Sequence, residues 1–223
     1  MTLHNRSILD KDLNDLRTNI LQMTSLVDTA IEQAMLALGQ RDVVLAQKVI
    51  SSDHQVNQLR YDVEEASLRI LATQQPMASD LRVVIAVIHL AVELERIGDH
   101  AAGIARLVAR LESEDEIDTL HKLPKMARRA RQMLRESVDA FINKDAAAAK
   151  VMIGRDDKID RQYNKLFQET LEEMQDDAYI RRATFLLWVG HNLERIGDRA
   201  TNIAERVIFM TTGEFIETST AMN

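Results

Sequence analysis

The chain has no cysteine, two prolines, seven glycines and only 4% aromatic residues in 223 positions. Each shortage excludes something. Without cysteine there are no disulfides, no thiolate metal ligands and no cysteine nucleophile. So few glycines and prolines leave too little punctuation for an all-β fold, which needs a turn every ~8–12 residues. Long apolar runs are missing too. The longest, Val83 to Val92, is ten residues interrupted by His89, against the ~20 that a membrane-spanning helix requires. The opening Met-Thr-Leu-His-Asn-Arg-Ser lacks the basic-then-apolar layout of a secretory signal. Nor is there an excess of positive charge: 28 Lys+Arg against 35 Asp+Glu leave a net charge of −7. Phosphate backbones recruit basic faces, so this balance argues against a nucleic-acid partner. Together these absences predict a soluble, cytoplasmic protein.

What remains is rich in helix-forming Ala, Leu, Glu, Arg, Gln and Met. Apolar residues recur at steps of three and four almost throughout, the signature of amphipathic helices. Leu13, Leu16, Ile20, Met23, Val27, Ala30, Ile31, Ala34 and Leu38 mark a first helix, with Gly39 expected to stop it. A second starts at the N-cap residue Asp42 and runs through Val49, Val56, Leu59, Val63, Ala66 and Ile70 to the break at Gln74-Gln75-Pro76. A third spans Ser79 to about Leu111. The acidic stretch Glu112–Asp118 reads as a solvated linker. Three further helices follow Pro124, with breaks near Asn143-Lys144 and Asp176-Asp177.

Three helices, a linker and three helices imply duplication, and the residues carry it. Leu94–Val108 and Val207's segment, Leu193–Val207, match at an offset of 99 with ten of fifteen positions identical, including the six-residue run Leu-Glu-Arg-Ile-Gly-Asp. Asp42, Ala46 and Asp53 match Asp145, Ala149 and Asp156 at an offset of 103. The expected architecture is all-α, two tandem three-helix bundles, residues 1–115 and 116–223.

Inside the repeated motif, Glu95 and Asp99 are four apart, as are Glu194 and Asp198. That spacing puts both acids of a pair on one helix face, where like charges repel by a few tenths of a kcal/mol unless a cation lies between them. The core stripe faces the other way, which places the acids on or near an exposed face. The second helix of each unit offers partners: Asp156 and Asp160, and in the first unit Asp53 and Asn57. If the second and third helices are neighbours, each unit gathers four oxygen-bearing side chains. Carboxylate and amide oxygens suit Mg, Ca, Mn or Fe, with Zn acceptable. Four carboxylates against three plus a neutral amide predict tighter binding at the second site. The same repeats also fit duplicated salt bridges through Arg96 and Arg195, and Gly98 and Gly197 fit close helix packing. No Glu-x-x-His pair of a di-iron bundle, no glycine-rich phosphate loop and no nucleophile context occurs. The chain is not expected to be an enzyme.

Two copies of Leu-Glu-Arg-Ile-Gly-Asp-x-Ala-x-x-Ile-Ala, the run Gln75-Pro-Met-Ala-Ser-Asp-Leu-Arg82 before the first, and a six-helix plan resemble the PhoU family over essentially the whole chain. The resemblance implies two bundles related by pseudo-twofold symmetry, a homodimer, and metal ions on the bundle surface. The implied ligands are Asp53, Glu95, Asp99, Asp156, Asp160, Glu194 and Asp198, with Asn57 departing from the acidic pattern. It further implies a negative regulator of the phosphate-starvation response. That regulator would link the phosphate transporter's ATPase subunit to the sensor histidine kinase PhoR, reach the membrane only through these partners, and modulate phosphate uptake. The rival expectation is a carboxylate-bridged metal-binding or metal-storage bundle with no phosphate-signalling role.

Overall fold

The computed structural model describes residues 3–111, 122–175 and 177–216. All elements among them are helices: α1 (Leu3–Gln40), α2 (Val43–Gln74), α3 (Ser79–Leu111), α4 (Leu123–Asn143), α5 (Ala146–Ile153), α6 (Asp156–Glu173) and α7 (Asp177–Thr212). Within them, no helix is long and apolar enough to cross a membrane. The expected linker Glu112–Asp118 and the boundary at 115/116 lie outside the described residues.

Helices α1, α2 and α3 pack on one another, as do α4, α5–α6 and α7. The stripes read from periodicity are buried in one continuous core that runs through both units. Val83, Val87, Leu90, Leu94, Ile97, Ala101, Ile104 and Val108 are all buried on α3, and Phe185, Val189, Leu193, Ile196, Ala200, Ile203 and Val207 on α7. At ~1.5–3 kcal/mol for each large apolar side chain removed from water, this burial is the main favourable term.

Two local details differ from the sequence expectation. Helix α1 runs through Gly39 and ends one residue later, with the left-handed backbone at Arg41 (φ 54°). The Asp42 N–H donates back to the Ala37 carbonyl at 2.9 Å, a Schellman closure that places the left-handed residue directly before the next N-cap. There Asp42 accepts from the Leu45 N–H at 2.9 Å. The second unit repeats the arrangement: Lys144 has φ 52°, Asp145 N–H donates to Ala140, and Asp145 caps the N–H groups of Ala147 and Ala148. The second departure is the helix expected from Asp145 onward, which is broken at Gly154-Arg155 into α5 and α6. Gly154 is the C-cap of α5, where glycine's low helix propensity makes a break cheap, and Asp156 and Asp157 favour a new N-terminus by facing its positive dipole end.

The two units join through α3 against α7 and α1 against α4. Both seams obey the duplication. Glu93 of α3 accepts from Arg199 Nη1 (3.3 Å) and Asn202 Nδ2 (3.2 Å) of α7. The position equivalent to Glu93 is Asn192, whose Oδ1 meets His100 Nδ1 at 3.1 Å and lies where a side chain on Gly103 would clash, at 2.9 Å. His100 and Gly103 are the equivalents of Arg199 and Asn202, so one contact set occurs twice about a pseudo-twofold axis. At the other seam Asp28 accepts from Arg131 (2.8 and 3.0 Å) and Arg135 (2.6 Å), and Glu32 accepts from Arg131 at 2.8 Å. Here equivalent positions, 28 with 131 and 32 with 135, carry opposite charges.

Candidate metal centre

In the second unit the break before α6 sets Asp156 in that helix's first turn, and Asp160 follows one turn later. Opposite them on α7 stand Glu194 and Asp198. Asp156, Asp160 and Asp198 each bring one carboxylate oxygen to within 4.8 Å of the others, the single such acid or histidine set among the described residues. Glu194, expected as the fourth member, lies outside this set. Its Oε2 is 3.5 Å from His191 Nδ1 and 3.7 Å from Arg195 Nε.

The electrostatics of the cluster are unfavourable as it stands. Asp156 Oδ1, Asp160 Oδ1 and Glu194 Oε2 are buried without a hydrogen-bond partner. Burial first, and the charge of Asp160 second, push Asp156 up to about 7. Burial and the charge of Asp198 push Glu194 up to about 7. Asp160 is raised by burial and by Asp198. The one strong local compensation is Arg195, whose Nη1 donates to Asp198 Oδ2 at 2.8 Å. Crowded, half-buried carboxylates in this condition hold either protons or a cation. Oxygen-only donors with unspent lone pairs fit a hard cation, so the residues present are compatible with a metal. The acids occupy the α6–α7 seam rather than an exposed face, because the two helices approach too closely to leave them in bulk water.

That approach depends on the motif glycine. A Cβ on Gly197 would meet Ile159 Cγ2 at 3.1 Å and Cδ1 at 3.3 Å. In the first unit a Cβ on Gly98 would meet the Asp53 carboxylate itself, Oδ1 at 3.1 Å. The first-unit residues are otherwise more loosely grouped. Asn57 Nδ2 donates to Asp53 Oδ2 at 3.2 Å, so the amide serves as a donor to the acid. Burial and then the charge of Asp99 raise Asp53. Burial, followed by Asp99, raises Glu95. Asp53, Glu95 and Asp99 sense one another but do not converge as the second-unit trio does.

The motif arginines stay on their own helix: Arg96 pairs with Glu93 at 3.1 Å, and Arg195 with Glu194 and Asp198. Thr201 was not visible to the repeat comparison, because Ala102 stands at its equivalent position. Its buried hydroxyl faces Asp156 and opposes the upward shift of that carboxylate. Its place three residues after Asp198 on the same helix is the signal that would have found it.

Comparison with known proteins bears on both units. The PhoU domain family model matches residues 20–108 and again 123–207. The chain is 33% identical over 214 residues to a phosphate-specific transport system accessory protein PhoU homolog of Clostridium acetobutylicum, covering 95% of this chain and 98% of that one. It is 37% identical over 219 residues to a homolog of the same description from Pseudomonas putida, covering 96% and 84%. Among solved structures it is similar to PhoU from Pseudomonas aeruginosa, with a TM-score of 0.87 at 36% identity over 92% of this chain and 99% of that one. It is likewise similar to the phosphate transport system regulatory protein PhoU from Streptococcus pneumoniae, with a TM-score of 0.88 at 33% identity over 94% and 99%.

Proposed function

The chain belongs to the PhoU family, and from that premise we propose that it is an accessory protein of phosphate transport that holds the phosphate-starvation response off when phosphate is plentiful. One observation supports the reading: both repeats match the family, and the chain matches over nearly its whole length proteins named as accessory or regulatory proteins of the phosphate transport system. In this reading the chain acts in the cytoplasm, as a homodimer, between the phosphate transporter's ATPase subunit and the sensor histidine kinase PhoR, and touches the membrane only through them. An adaptor of this kind needs no catalytic group.

Metal binding belongs to the same proposal. Asp156, Asp160 and Asp198, with Glu194 beside them, hold a hard cation, and Asp53, Asn57, Glu95 and Asp99 form a weaker counterpart. The support is the set of buried carboxylate oxygens that no protein donor satisfies. When bound, the cation supplies positive charge that cancels the repulsion between α6 and α7. The chain's own part is to orient the carboxylates: Gly197 lets the helices close, and Arg195 fixes Asp198.

The adaptor claim is tested by affinity purification of the tagged chain from phosphate-replete cells. Recovery of the transporter ATPase subunit and the kinase, above an untagged control, is the expected result. Recovery of neither overturns the adaptor role.

A further inference from the structure

On the outer side of the α3–α7 seam lies an open cleft of about 570 Å³, lined by Arg106, Leu107 and Arg110 of α3 and by Trp188, His191 and Asn192 of α7. Trp188, the only tryptophan, is 47% exposed there and touches Phe185, with ring centroids 6.0 Å apart. The Arg110 guanidinium sits 5.8 Å over the same Phe185 ring and has no acidic partner among the described residues. Arg106 acts on Asp53, and His191, which burial holds below its ordinary value, lies 3.5 Å from Glu194 and senses Asp198. An exposed aromatic beside two arginines has no use inside the fold. It neither fills a core nor completes an ion pair between helices.

The duplication shows what such a cleft receives. Its pseudo-twofold mate is built from the equivalent positions on α7, where Phe209 stands for Arg110 and Arg206 for Leu107. The chain's own tail lies along the α7 side of that mate, with Phe215 itself 70% exposed. Phe215 stacks on Phe209 with centroids 4.2 Å apart and planes 22° apart, Arg206 lies 5.8 Å over the Phe215 ring, and Ile216 packs against the core. The segment described there is residues 212–216, Thr-Gly-Glu-Phe-Ile, and the sequence continues with Glu217 and Thr218, so two acids flank an aromatic and an aliphatic residue. At the open cleft the equivalent helix positions are more basic, with one aromatic in each set. Arg110 replaces Phe209, and Trp188 replaces His89.

We propose that the open cleft is a docking site for an acidic segment of a partner protein that carries a large aromatic or aliphatic residue. Trp188 and Leu107 take the apolar side chain, and Arg106 and Arg110 pair with the flanking carboxylates, the buried-anchor and charged-rim arrangement of peptide grooves. The proposal deepens the adaptor reading and rests on it for the existence of a protein partner.

Because Trp188 is the only tryptophan, its fluorescence reports on the cleft directly. The probe is the peptide Thr-Gly-Glu-Phe-Ile-Glu-Thr, titrated into the full chain. Saturable change in Trp188 emission is expected, weakened at least about tenfold when both peptide glutamates are lysine or when Phe is Ala. Arg110→Glu should weaken the native peptide by a similar factor and bind the lysine peptide better than the unaltered chain does. That reversal separates recognition from misfolding. Equal affinity for the acidic and lysine peptides, or no change in emission at millimolar peptide, overturns the proposal. So would binding that appears only after Glu112, Glu114, Asp115 and Glu116 are replaced by serine, since the occupant would then be the chain itself. These outcomes are independent of the affinity purification. A cleft that fails here leaves the adaptor reading standing, and a purification that fails does not alter the peptide result.

Discussion

At Asp156 and Glu194 burial and neighbouring carboxylates push both side chains up to about 7, whereas in an unfolded chain they titrate near ~4. Between those values the folded state holds more protons than the unfolded state, so the stability of the metal-free protein falls as pH rises. The thermal midpoint of the chelator-treated protein is therefore expected to drop from about pH 5 to about pH 8, with most of the loss complete once pH passes the folded-state values. A hard divalent cation competes with those protons, so its stabilising effect should grow over the same range. Asp156→Asn should flatten both dependences. A metal-free midpoint that rises across this window would contradict the assignment. Asp156, Asp160 and Asp198 lie together in the fold, and the spacing of four and the repeat offset that single them out are both one-dimensional signals. Glu194, at the same spacing from Asp198, lies beside that trio, with its Oε2 3.5 Å from His191 Nδ1 and 3.7 Å from Arg195 Nε, and helical spacing does not reveal such contacts.

Between elements, the two motif glycines do different work. A methyl at Gly197 presses on Ile159, which is fully buried and cannot yield. A methyl at Gly98 presses on the end of the Asp53 side chain, which can swing away. Replacing a helical glycine by alanine gains up to ~1 kcal/mol in propensity, while overpacking a core costs ~1–3 kcal/mol. Gly197→Ala should thus lose about 1–2 kcal/mol in urea unfolding, and Gly98→Ala should stay within about 1 kcal/mol of the unaltered chain. Equal losses at both would refute this distinction. The apolar stripes and the N-cap at Asp42 were readable because periodicity and capping are local. The helix end at Gln40 and the break at Gly154 were not. In the first case the left-handed residue, Arg41, is selected by the need to present Asp42 as the next cap. In the second, one glycine inside an otherwise helical pattern does not announce itself as a terminus.

Across the whole molecule the seams explain why two similar units sit as one body. The α3–α7 contacts are duplicated, but at the α1–α4 seam equivalent positions have opposite charge, so the pairing works only between unlike units. Asp28 titrates below its ordinary value although burial, the largest influence, opposes it, because Arg131 and Arg135 donate hydrogen bonds to it. Arg131→Glu should cost roughly 1–3 kcal/mol, between an exposed pair and a fully buried one, and a charge-swapped double with Asp28→Lys should recover at least half in equilibrium unfolding. No recovery would mean that the seam is held by packing alone. The proposed role is read out in the cell, by the output of a phosphate-starvation promoter in cells grown with ample phosphate, with and without this gene. Deletion is expected to switch the promoter on, and the chain supplied from a plasmid to switch it off again. A promoter that stays silent in the deleted cells would contradict that role.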